Sequence, residues 1–204
     1  MALKILAANT IERLCCGAAP RAPRAPGAQG FTLTEMLVVI GIAGVLTSMA
    51  VPAMRTFVQS QQGSSAAGAL VSSLSMARSE AIKEDAAAAG VIVCASSNGT
   101  TCDPAGVWNN GWIVLPPAAL GAVPLQVVGA LPAGMTMTAT PAVASISFLS
   151  SGQAPALGAA FVAFRLCDAR GATFAREVEV SLGGQIQAAP TVGQDVSGAP
   201  LACP

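Results

Sequence analysis

The chain has 204 residues, 53% of them hydrophobic and only 10% charged, with a formal net charge of zero. This balance suits a membrane-anchored protein better than a free cytosolic one. Histidine is absent, which excludes the Ser–His and Cys–His relays of nucleophilic catalysis.

Residues 1–30 carry Lys4, Arg13, Arg21 and Arg24 against Glu12, a net of +3. They end in RAPRAPGAQG, a Pro/Gly/Ala stretch that cannot form a packed element. Residues 31–204 hold six basic and nine acidic side chains, a net of −3. The larger part therefore lacks the electrostatic footprint of a polyanion binder, and nucleic acid is not an expected partner.

From Met36 to Met54 the chain reads MLVVIGIAGVLTSMAVPAM, without a single charge. That length suffices for a transmembrane helix. It exceeds the apolar core of a cleaved signal peptide and continues into a helical pattern, so the segment is predicted to be retained. Arg13, Arg21 and Arg24 precede the run and Arg55 alone closely follows it. The N-terminus is therefore expected in the cytoplasm and the rest of the chain across the membrane. Glu35 stands at the mouth of this run, where a carboxylate is costly: up to ~3 kcal/mol at mid-membrane, less toward the ends. Pro52 lies inside the helical pattern and is expected to kink or loosen the helix.

Beyond residue 54 the pattern turns amphipathic. Ala67, Leu70, Leu74, Ala77 and Ala81 recur at spacings of three and four, with Ser72, Ser75, Ser79 and Lys83 on other faces. The helix is expected to end near AAAAG, with Gly90 as terminator. Glu80, Glu84 and Asp85 beside Lys83 read as a solvated helix end. From residue 90 the texture is that of strands: GVIVCA, GWIVL, PLQVVGAL, MTMTAT, SISFLS, AAFVAFRLC, REVEVSL and GQIQAA, separated by Gly and Pro turns. In REVEVSL, Val178, Val180 and Leu182 alternate with Glu177, Glu179 and Ser181, which predicts one buried and one wet face. Trp108 and Trp112 flank the NNG turn and are assigned to packing. The expected class is α+β, one long N-terminal helix on an antiparallel sheet domain of seven or eight short strands.

Cysteine placement agrees with the topology. Cys15 and Cys16 fall in the cytoplasmic segment, whereas Cys94, Cys102, Cys167 and Cys203 fall on the exported, oxidising side. Cys94 and Cys102 bracket ASSNGTT, whose Asn98-Gly99 step is a turn signal. That favours Cys94–Cys102 and Cys167–Cys203, worth roughly 2.5 and 4 kcal/mol as upper estimates on the chain-entropy model. Free buried cysteines or a zinc site are the alternatives, and no CxxC pair supports zinc. There is no GxSxG elbow and no glycine-rich loop followed by lysine. Asp103, Asp168 and Asp195 form no calcium-loop spacing. No enzyme activity, metal or cofactor is expected.

A basic leader ending in Gly30, then FTLTE, then an apolar run and a proline, resembles the N-terminal signature of type IV pilin-like proteins. The resemblance implies cleavage between Gly30 and Phe31 by a prepilin peptidase that also N-methylates Phe31. It implies that Glu35, as the fifth mature residue, meets the N-terminal amine of a neighbouring subunit during filament assembly. LVSSLSMARSEAIKEDAAAAGVIVCASSNGTTC followed by NNGWIVL is similar to the H-class pseudopilins of type II secretion and to the FimT/FimU minor pilins. These pair a long helix with a β-domain of two small sheets. Gln29 replaces the family's basic residue beside the glycine, and Gly184-Gln185-Ile186-Gln187 lacks both arginines of the Gly-Arg-x-Arg motif with which some FimT-type members bind DNA.

The expected organisation is a cytoplasmic leader (1–30, removed), a transmembrane helix (31–53), its amphipathic continuation (54–89) and a periplasmic β-domain (90–204). The expected function is that of a minor pseudopilin supporting secretion. The alternative is a minor type IV pilin serving pilus biogenesis or DNA uptake; an anchored domain without a filament role leaves Gly30, Phe31 and Glu35 unexplained. Expected partners are the peptidase/N-methyltransferase, other pilins or pseudopilins in a filament, and inner-membrane lipid before assembly.

Overall fold

The computed structural model describes residues 30–83, 90–117 and 123–203. The chain divides into two compact units, Met1–Thr47 and Ser48–Pro204. One helix, α1, spans Leu33–Lys83 and is continuous through Pro52, whose ring removes one backbone donor.

Within the second unit, α1 buries a single stripe: Gly63, Ala66, Ala67, Leu70, Ser73, Leu74, Ala77 and Ala81. The spacing of three and four puts these on one face, and the small residues let backbone approach closely. Ser72, Ser75, Ser79 and Lys83 are exposed. Lys83 pairs with Glu80 at 2.6 Å. The expected end of the helix at 84–89, with Glu84 and Asp85, lies outside the described residues. Gly90 follows with φ +62°, and a Cβ there would stand 2.5 Å from the Phe148 carbonyl oxygen, so only glycine fits this entry to the first strand.

Eight strands are present among the described residues: β1 (Val91–Ala95), β2 (Trp112–Leu115), β3 (Gln126–Val128), β4 (Thr136–Thr140), β5 (Ser145–Phe148), β6 (Phe161–Cys167), β7 (Arg176–Ser181) and β8 (Ile186–Ala188). They form two four-stranded antiparallel sheets, ordered β3-β2-β1-β5 and β4-β6-β7-β8. The α+β expectation and its seven or eight strands hold.

One core joins the stripe to both sheets. It includes Leu70 and Leu74 of α1, Val91 and Val93 of β1, Phe164 of β6, and Val178 and Val180 of β7. The two tryptophans are its largest members, and both have a bonded indole N–H, as a buried indole requires. Trp112 Nε1 donates to Ser73 Oγ at 3.0 Å, and Ser73 Oγ donates onward to the Ala69 carbonyl oxygen at 2.9 Å. Trp108 Nε1 donates to the Val143 carbonyl oxygen at 2.8 Å, and its ring meets Phe164 edge-on at 4.8 Å.

The outer face of β7 departs from the expected alternation. Glu177 is only 4% exposed, and Leu182, expected inside, is 42% exposed. The C-terminal tail provides the reason. Arg165 stands opposite Glu177 in the β6–β7 register and its Nη2 donates to Glu177 Oε2 at 3.3 Å. Its Nη1 donates to the Ala202 carbonyl oxygen at 3.0 Å. Buried Leu201 packs with Cys167 and Ala175. The tail thus covers what alternation leaves open to water, while Leu182 lies beyond the strand, in the turn to β8.

Candidate assembly and anchoring site

Gly30 and Phe31 precede the helix. Gly30 is exposed, with nothing among the described residues within 4 Å of where a Cβ would stand, and Phe31 is 75% exposed. Thr32 then caps α1. Its Oγ1 accepts the Glu35 N–H at 3.2 Å, and its carbonyl oxygen accepts the Met36 N–H at 3.2 Å. This satisfies one of the orphan donors of the first turn. Thr32-Leu33-Thr34-Glu35 has the T-x-x-E spacing of a capping box. Sequence reasoning missed Thr32 although that signal was legible.

The cap places Glu35 in the first turn, where aligned peptide dipoles favour an anion by typically 0.3–1 kcal/mol. From Phe31 onward the large apolar side chains stand out: Leu37, Val38, Ile40, Ile42 and Leu46 are all more than half exposed. Thr47, a polar residue inside the run, bonds back to the Ala43 carbonyl oxygen at 2.6 Å, a way to satisfy a hydroxyl away from water. An apolar helix with a capped, acidic first turn can bury its length in lipid or against other helices, and can offer one carboxylate to a cation. It provides no catalytic constellation.

The remaining residues singled out in the sequence lie in the second unit. Cys94 is bonded to Cys102 and Cys167 to Cys203. Asn98 organises the first loop: its Oδ1 accepts the N–H groups of Thr100 and Thr101, each at 2.9 Å. Gly184 has φ +75°, and a Cβ there would run into the Gly152 carbonyl oxygen. That glycine is therefore required by close packing, and Gln185 and Gln187 after it are exposed and uncharged.

Charged pairs in this unit are structural. Asp168 is held below the usual carboxylate range, first by the hydrogen bonds of the Arg170 side chain, the shortest 2.6 Å from Arg170 Nη2 to Oδ2. Glu179 is pushed up, first by burial and then by the negative charges of Glu177 and Asp195.

The family model described as type II transport protein GspH matches residues 66–184, more than half of the chain. The chain belongs to the GspH family. The prokaryotic N-terminal methylation motif matches residues 26–51, a span that contains Gly30, Phe31 and Glu35. Among curated proteins none matches. Two crystal forms of the type IV minor pilin FimU of Pseudomonas aeruginosa are similar in fold. The first has 24% identity and a TM-score of 0.52, over 72% of this chain and 98% of that one. The second has 23% identity and a TM-score of 0.50, over 69% and 98%. At this identity the likeness concerns the fold alone.

Proposed function

We propose that this GspH-family chain is a minor pseudopilin, working by assembly in a type II secretion pseudopilus. The observation that carries the reading is that one helix joins two signatures. α1 begins inside the methylation motif and ends inside the GspH match. A prepilin peptidase removes residues 1–30 by cutting after Gly30 and N-methylates Phe31. The exposure of Gly30 and Phe31 supports access to that bond. Residues 31–53 hold the subunit in the inner membrane with its C-terminal domain in the periplasm, until it enters the filament.

In that filament Glu35 meets the N-terminal amine of a neighbouring subunit. An opposite charge within ~4–6 Å favours the ionised carboxylate, and the capped helix end supports it. Glu35→Ala leaves folding, export and both disulfides intact but removes the counter-charge. Leaving a buried amine unpaired costs about 3–5 kcal/mol. The test compares recovery of wild type and Glu35→Ala in sheared filaments with their levels in the inner membrane; equal recovery sinks the mechanism. N-terminal sequencing of membrane-extracted protein should begin at methylated Phe31. Deletion of the gene should impair secretion of hydrolases; loss of twitching or transformation instead would place the chain in a type IV pilus.

A further inference from the structure

Where α1 leaves its apolar run, the β-domain brings up arginines. Arg170 Nη1 donates to the Thr56 carbonyl oxygen at 3.1 Å and to Ser60 Oγ at 2.8 Å. Arg176 Nη2 donates to the Ser60 carbonyl oxygen at 3.3 Å. These bonds fix the β6–β7 loop beside residues 56–60. Thr56 lies two residues past Met54, which closes the uncharged run, an axial rise of about 3 Å. The head-group layers add roughly 5–7 Å to each side of the hydrocarbon core. With Met54 at the edge of the hydrocarbon core, the loop stands at head-group depth.

The side chains displayed there suit that depth. Phe174 is 41% exposed, with the Arg170 guanidinium 4.2 Å from its ring centroid. Phe57, on the side of α1 that carries Ser60, is 58% exposed, and Val192 is 41% exposed. Val192 is held close to the loop because the Gly193 N–H donates to the Ala175 carbonyl oxygen at 2.8 Å. Around them are Arg55 and Arg176, whereas Arg170 is neutralised by Asp168 at 2.6 Å. Apolar rings among arginines are the composition of an interfacial surface, and anionic lipid is its electrostatic complement.

We propose that Phe57, Phe174 and Val192, with Arg55 and Arg176, rest on the anionic head groups of the bilayer that anchors the helix. The unassembled subunit thereby holds its domain against the membrane, and entry into a filament must lift it off. This rests on the anchoring reading above, and the experiment separates the two.

The full chain is reconstituted into vesicles of phosphatidylcholine and phosphatidylglycerol in equal amounts, with part of the phosphatidylcholine brominated as a short-range quencher. Two reporters are compared, Phe174→Trp and Leu182→Trp; Trp108 and Trp112 are buried and give the common background. Leu182 is 42% exposed, and its carbonyl oxygen accepts the Ala154 N–H at 3.0 Å, close to Gly152, which packs on Arg78 and Ile82. That level lies roughly 30 Å farther along α1.

Phe174→Trp should be quenched and Leu182→Trp should not. Adding Arg55→Gln should lower the ratio of docked to undocked domain roughly fivefold, with Arg55→Lys restoring it. Pure phosphatidylcholine vesicles should weaken docking as Arg55→Gln does. Equal quenching of the two reporters overturns the inference, as does quenching at 174 that ignores both phosphatidylglycerol and Arg55. Quenching that changes as the protein is diluted in the bilayer assigns the surface to a second copy and also overturns it. A chain that fails to float with the vesicles instead refutes the anchoring reading.

Discussion

Leu46 and Leu70 belong to the same helix, yet Leu46 is 63% exposed and Leu70 is fully buried. Around Leu46 the apolar side chains point in every direction, and all residues from Gly30 to Val58 are exposed. Around Leu70 they form one stripe, facing Trp112, Val93 and Val178 in a shared core. Leucine occurs in both stretches, and what separates them is the polar residues that leave the second a single apolar stripe. An all-round apolar helix needs a non-aqueous surrounding on every side, whereas a striped one needs a single packing partner. The first stretch needs an apolar surrounding from outside its own unit, the second packs on its own domain.

The contrast can be broken most directly with one substitution made twice. Leu70→Ala should destabilise the domain by about 2–5 kcal/mol, since it opens a cavity in a closed core. Leu46→Ala should leave the same unfolding transition unmoved. Chemical denaturation of detergent-solubilised protein, followed by tryptophan fluorescence, reads both. Equal effects would mean that the first stretch also supports the domain.

The tail over β7 is next in size. Replacing Cys167 and Cys203 together by serine should cost roughly 2–4 kcal/mol, and it should expose Glu177 and Ala175 to solvent. Hydrogen exchange should then rise along β7. Unchanged exchange there would show that Arg165 and Leu201 hold the tail without the bond.

Ser73 sharpens the description of the buried stripe. Ser73→Ala removes the acceptor of the Trp112 indole N–H and should cost about 1–3 kcal/mol, the desolvation of an unsatisfied donor. Ser72→Ala, one residue away and exposed, should cost nothing measurable by thermal melting.

The smallest effects are those of pH. Asp168 is depressed in the fold, so its contribution is present above its ordinary value of 3.8 and is lost as pH falls through the lower folded value. Glu179 is raised from 4.5, so the stability it contributes in acid is lost as pH rises through its folded value. Asp168→Asn should flatten the acid limb of the stability curve. Glu179→Gln should leave the domain as stable as wild type or slightly more so near pH 7. A fall in melting temperature at neutral pH for Glu179→Gln would contradict the second assignment.

Local features were legible because they depend on neighbours in sequence. The eight strands follow from short apolar runs between Gly and Pro turns, and the buried face of α1 follows from its spacing of three and four. The Thr32 cap was equally local, readable from T-x-x-E before an apolar run. Leu182 was misjudged because the alternation was carried past the end of the strand into the turn, and Glu177 because alternation assumes that the outer face of a strand meets water. Here a tail from the end of the chain covers that face.

The sequence alone therefore determined the elements, the apolar run and the motif that opens it, since each rests on steric and hydrophobic patterns a few residues long. Tertiary structure alone decided which charges are buried, where the tail lies, and that Arg170 fastens the β6–β7 loop to Thr56 and Ser60. Those contacts join residues more than a hundred positions apart in sequence, and no local periodicity encodes them. They form because a guanidinium taken from water needs several acceptors at once, and only the folded chain assembles the Asp168 carboxylate, a helix carbonyl and a hydroxyl around it.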